Sequence, residues 1–121
     1  MQYNIDIKGE FADIFKKIRT ILLSYPQIKE IKNAKQTSYH DEYGVVIMMR
    51  KKGSEFVVAF GRGVKLQEKY QMLKGSGKFV RHLYLKSVEE VDEKLLREMI
   101  EESFILGLEA FELKELKKRI L

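Results

Sequence analysis

The sequence predicts an α+β fold, a curved antiparallel sheet built around a β-hairpin and packed by an N-terminal helix and a long C-terminal helix. Three observations carry this. Apolar residues recur at helical spacing in two segments, one near each end of the chain. Between them lie three short runs rich in β-branched, aromatic and Met residues. Two of those runs are separated only by Lys-Gly-Ser. Helices at the ends and strands between them suit helices covering one face of an antiparallel sheet.

Taken in order, residues 2–8 alternate through Tyr3, Ile5 and Ile7, which predicts a short edge strand. Gly9 precedes a stripe of Phe11, Ile14, Phe15, Ile18, Ile21, Leu22 and Tyr25, the apolar face of a helix whose wet side carries Lys16, Lys17 and Arg19. Pro26, the only proline, ends that helix and is expected to start a short second one through Lys32. Residues 33–44 are polar and read as turns. Residues 45–51 and 55–61 then form the hairpin, with Gly53 supplying a positive φ. Gly61 and Gly63 break its second strand. Residues 79–86 are the third strand, with Phe79, Arg81, Leu83 and Leu85 on one side and Val80, His82, Tyr84 and Lys86 on the other. Both faces are mixed, so the buried one is left open. Ser87 with Glu90 has the spacing of a capping box, and Asp92 sits where a second N-cap belongs. In the last helix Leu95, Leu96, Met99, Ile100, Ser103, Leu106 and Ala110 form one stripe, with Gly107 expected to mark a close helix crossing.

At 121 residues the chain is expected to be one domain, 1–121. The absence of Cys excludes disulfides, thiolate metal sites and a cysteine nucleophile. No apolar run approaches about 18 residues and Met1 is followed by polar and acidic residues, so no membrane partner is expected and a cytoplasmic location is. The formal charge is +5, but residues 62–86 alone hold seven basic residues against the single acid Glu68, a local balance of +6. An anion-seeking surface is therefore expected in this window.

Gly75-Ser76-Gly77-Lys78 lies at its centre. Two glycines let the backbone turn successive N–H groups toward one anion, and the lysine adds charge. A nucleotide-hydrolase loop is excluded. No glycine stands where its first glycine belongs, Phe79 replaces its hydroxyl residue, and a strand follows rather than a helix. Arg81 and Arg62 are the neighbouring cations expected at the site, with Tyr39 and Phe60 as its walls. Arg81 and the adjacent His82 point to opposite sides of a strand. His40-Asp41-Glu42 and the carboxylates Glu98, Glu101 and Glu102 are the metal-binding alternatives, the latter three for iron or another hard cation. Glu89, Glu90, Asp92 and Glu93 are better explained as acids complementing a helix N-terminus. The basic window interleaves Phe60, Tyr70 and Phe79, which keeps an RNA-binding module as a third reading, although no nucleic-acid-binding signature accompanies it and nucleic acid is not the expected partner. No arrangement of nucleophile, base and orienting group suggests an enzyme, and no cofactor is expected.

The block Leu73-Lys74-Gly75-Ser76-Gly77-Lys78-Phe79-Val80-Arg81-His82, followed by the acidic cap of residues 88–92 and Leu95-Leu96, resembles the hallmark of the YdhG-like domain-of-unknown-function family (DUF 1801). Phe60-Gly61-Arg62-Gly63-Val64-Lys65-Leu66 is similar to that family's aromatic-glycine segment, and the likeness spans roughly residues 9–106. The chain departs from the family after Ile31-Lys32, where Asn33-Ala34-Lys35-Gln36-Thr37-Ser38-Tyr39 lacks the Trp-Gly and Pro of many relatives. The resemblance implies the α+β fold given above. It also implies an alternative role, because some relatives are described as frataxin-like iron chaperones that feed iron–sulfur or haem assembly. The expected function is thus a small non-catalytic domain that captures an anionic small molecule at the Gly75–Lys78 turn. Iron delivery through the last helix is the alternative. A homodimer through an exposed Phe/Leu patch on that helix is also expected.

Overall fold

In the computed structural model, which describes residues 1–120, five antiparallel strands form one sheet in sequence order, each pairing with the next. They are β1 (Lys29–Lys32), β2 (Thr37–Asp41), β3 (Gly44–Lys52), β4 (Glu55–Phe60) and β5 (Arg81–Leu85). Helices α1 (Gln2–Asp6) and α2 (Ala12–Leu23) precede the sheet, α3 (Gly63–Gln67) interrupts it, and α4 (Glu93–Ile120) follows a 3-10 turn at Val88–Glu90. The α+β class with a long C-terminal helix is as the sequence predicts.

Alternation decides which side of the sheet is covered. Ile47, Met49, Phe56, Val58 and Phe60 are buried, and the register Ile47↔Phe60, Met49↔Val58 puts them on one face. Against that face pack Ile14, Phe15, Ile18, Ile21 and Leu22 of α2, with the Phe15 ring 6.0 Å from Phe56, and Leu96, Met99 and Ile100 of α4. Burying side chains of this size supplies roughly 1.5–3 kcal/mol each, the main drive for docking the helices. The register Phe56↔Leu85 and Val58↔Leu83 resolves the open question about β5: Leu83 and Leu85 turn to the core, and His82 and Tyr84 to the uncovered face.

The hairpin and both long helices stand where expected, whereas the third strand is shorter than residues 79–86 and leaves Phe79 and Val80 in the preceding loop. Gly53 has φ +61° in the tight turn joining Lys52 to Glu55. The Glu90 carboxylate accepts the Ser87 N–H at 2.9 Å, and Asp92 Oδ1 caps α4 by accepting the Leu95 N–H at 3.1 Å.

Three local expectations are corrected, and one further element is found. Residues 2–6 are helical, not an edge strand: Gln2 donates to Asp6 Oδ1, four residues on, and that oxygen also accepts the Lys51 N–H at the end of β3. The apparent alternation is incidental, since Ile5 is exposed while Tyr3 packs edge-on against Phe15. The short helix expected through Lys32 is strand β1, because Lys29–Lys32 pairs with Thr37–His40. Consequently the polar segment 33–44 is only partly turn. Asn33 Oδ1 accepts the Lys35 and Gln36 N–H groups, and Thr37–Asp41 then forms β2, whose Tyr39 is fully buried. Finally, after the glycines that end β4 comes α3, which buries Leu66 and leads to buried Tyr70 four residues later.

Candidate functional site

Helix α3 is the platform on which the glycine turn is built. The Val64 N–H donates to Phe79 O at 2.9 Å. Gln67 spans the turn's base, its Nε2 donating to Leu73 O and its Oε1 accepting Arg81 Nε, both at 2.8 Å. Backbone bonds between Lys74 and His82, at 2.8 and 2.7 Å, close the two ends. The six residues between Lys74 and Arg81 therefore form a loop pinned at both ends, with Gly75 at φ +133°, a backbone conformation that side chains disfavour.

Within this loop the polar groups divide by sign. Arg81 Nη1 donates to Gly77 O at 2.6 Å and to Val80 O at 2.9 Å, so carbonyls are occupied from inside. The N–H groups of Gly75, Ser76, Gly77 and Lys78 donate to no protein acceptor among the described residues. Lys74, Lys78 and Arg81 have no carboxylate within salt-bridge reach. Lys78 Nζ stands 5.3 Å from the centre of the Phe79 ring, which is 62% exposed. Arg81 and His82, which leave the strand on opposite sides, both reach Gly75: a Cβ there would lie 3.2 Å from His82 Nδ1 and 3.4 Å from Arg81 Cδ. The turn is thus an exposed, cationic, amide-rich surface. Beside it, on the uncovered face of the sheet, a concavity of about 190 Å³ is lined by Met48, Arg50, Val57, His82 and Tyr84.

Three residues assigned to this site from the sequence are not at it. Tyr39 and Phe60 are fully buried, so neither can wall a surface ligand. Tyr39 donates its hydroxyl to Glu30 Oε2 at 2.8 Å, and burial followed by this bond raises its pKa well above the usual phenol range. Burial pushes the Glu30 carboxyl up, but hydrogen bonds from Arg19 (2.6 and 3.0 Å) and Tyr39 outweigh it and lower the pKa overall. Arg62 is committed elsewhere. Its guanidinium meets Asp41 through two 2.9 Å bonds and donates to Ser103 O at 2.8 Å. It fills the space over Gly107, where a Cβ would lie 2.6 Å from Arg62 Cζ. Gly107 therefore admits an arginine, not a second helix.

The carboxylates of α4 are likewise dispersed in their bonding. Glu101 accepts the Tyr25 hydroxyl at 2.6 Å, Glu102 lies 4.0 Å from Lys69 Nζ, and Glu98 is exposed. Asp41 of the His40-Asp41-Glu42 turn is held by Arg62. Among the described residues no group of three His, Asp or Glu is close enough to hold a metal ion.

Sequence reasoning overlooked Gln67, Lys74 and Phe79. Lys74 was visible in the basic window. Phe79, expected in the third strand and among the stacking aromatics of the RNA-binding reading, lies outside β5 and is exposed beside Lys78 at the turn. Gln67 had no signal, because its role depends on α3.

Fold and site together define an α+β domain with one uncovered sheet face and a pinned cationic turn at its edge. No family model, curated protein or solved structure matches the chain. No helix is long and apolar enough to cross a membrane among the described residues.

Proposed function

We propose that this chain is a non-catalytic binding domain that captures an anionic small molecule on the Gly75–Lys78 turn. The observation that carries this is the pairing of four adjacent N–H groups lacking a protein acceptor with two lysines lacking a carboxylate. Oriented backbone donors plus local positive charge are the usual means of holding phosphate or carboxylate oxygens. In this reading Lys78 and Lys74 supply charge and the amides supply direction. Arg81 organises the loop by taking its carbonyls, and Phe79 offers a flat apolar surface to the rest of the ligand. A ligand longer than its anionic group extends over His82 and Tyr84 on the open sheet face. The resemblance to the YdhG-like family rests on this same Gly-Lys-x-x-Arg-His block, and we propose membership of that family on those residues.

Titration with inorganic phosphate and pyrophosphate, followed by amide chemical shifts, tests the proposal. Saturable shifts centred on residues 75–78, lost in Lys78→Ala with the fold unchanged, are expected. Shifts that are absent, or that persist undiminished in Lys74→Ala/Lys78→Ala, overturn it.

A further inference from the structure

Beyond Gly107 no residue of α4 is buried, yet the helix continues to Ile120. The Phe111 ring still meets Tyr43, with 5.1 Å between ring centres, but residues 112–120, about 14 Å of helix at about 1.5 Å per residue, extend past that contact. The segment is not polar. Leu113, Leu116 and Ile120 are 53, 51 and 73% exposed. With Glu109 they step by four, three and four residues, the spacing of a two-helix seam. Such a seam has no reason to exist on a solvated helix.

The charges flanking it specify the occupant. Residues 108–113 carry Glu109 and Glu112 and no base, whereas residues 114–120 carry Lys114, Lys117, Lys118 and Arg119 against Glu115 alone. One end of the segment is acidic and the other basic. Two parallel copies would set like charges side by side. Two antiparallel copies set Glu109 and Glu112 of each against the basic last turn of the other, with Leu113 facing Leu116 at the centre. Opposed helix dipoles favour the same arrangement. Because the seam lies away from the side of α4 that buries Leu96, Ile100, Ser103 and Gly107, the two folded bodies sit at opposite ends of the pair without overlap.

We propose that the exposed C-terminal segment of α4 is a self-recognition surface, and that two copies of this chain pair antiparallel through Leu113, Leu116 and Ile120, with Glu109 and Glu112 registering on the other copy's Lys117 and Arg119. The inference is independent of the anion site. Sedimentation equilibrium from micromolar to millimolar protein tests it. Concentration-dependent dimers are expected for the native chain, and monomers for Leu113→Glu/Leu116→Glu, whose exposed positions leave the helical circular dichroism unchanged. Two charge variants test the direction. Glu109→Lys/Glu112→Lys and Lys117→Glu/Arg119→Glu should each dimerise about tenfold more weakly than the native chain, since attractive exposed pairs become repulsive. An equimolar mixture of the two should regain native affinity as a heterodimer. A native chain that stays monomeric at millimolar concentration overturns the proposal, as does a dimer indifferent to the leucine substitutions. Failure of the mixture to regain affinity overturns the antiparallel arrangement.

Discussion

Replacing Gly107 with alanine is expected to destabilise the native protein but to stabilise an Arg62→Ala variant. The added Cβ would lie 2.6 Å from Arg62 Cζ and Nη2, too close to tolerate. The guanidinium cannot yield cheaply, because it holds Asp41 and Ser103 O through bonds of 2.8–2.9 Å, and the Asp41 side chain is only 5% exposed. Removing one partner of a buried ion pair costs about 3–5 kcal/mol. Alanine in a helix interior returns about 1 kcal/mol over glycine, leaving a net loss of roughly 2–4 kcal/mol. With an unfolding entropy of about 2.1 cal/mol/K per residue, 121 residues convert each kcal/mol to about 4 °C, so the melting temperature should fall by roughly 8–16 °C. Once Arg62 is alanine the obstacle is gone, and Gly107→Ala should raise the melting temperature of that parent by about 4 °C. Thermal unfolding of the four proteins by circular dichroism gives both signs. The same sign in both backgrounds would mean that the Arg62 guanidinium is not what keeps position 107 a glycine.

Other substitutions separate structure from binding. Glu30→Gln should destabilise the protein near neutrality, and the loss should shrink toward acid pH. The folded-state pKa of Glu30 lies below its ordinary value, so its contribution is present above the unfolded pKa and disappears as pH falls through the folded one. Urea titrations at stepped pH values check this. Asp6 has the opposite sign. Burial raises its pKa and leaves Oδ2 without a partner, so its ionisation opposes folding as pH rises. Asp6→Asn should therefore gain on the native protein as pH increases through the same titrations. Lys78→Ala, at an exposed position, should leave stability within about 0.5 kcal/mol. Arg81→Ala should instead loosen the turn, seen as faster amide exchange at the Lys74–His82 bridge.

What the sequence revealed follows from which interactions are local. The stripe on α2, the Gly53 hairpin and the Asp92 cap depend on neighbours within a few residues, and each is legible. The first strand pair was missed because Lys29–Lys32 has no alternation of its own and becomes a strand only through Thr37–His40. Helix α3, five residues long, is set by Leu66 and Tyr70 reaching the core rather than by any pattern in its own run. At the site the same division holds. The cationic glycine turn is contiguous and could be read directly. Arg62 could not be placed, because its partners Asp41, Ser103 and Gly107 lie 21, 41 and 45 positions away and identify it only when folded. Tyr39 and Phe60 belong to the core for a related reason: strand pairing turns both inward, and neither residue's own neighbours in sequence reveal that.

The central claim is that backbone amides of the turn, together with Lys78, hold an anion. Its most direct test is the amide spectrum of the uniformly labelled protein during titration with pyrophosphate at constant ionic strength. Saturable shifts of the Gly75, Ser76, Gly77 and Lys78 amides are expected, with Arg62 and the carboxylate-bearing residues of α4 unmoved. Shifts confined to other regions, or spread evenly over all exposed lysines, would contradict it.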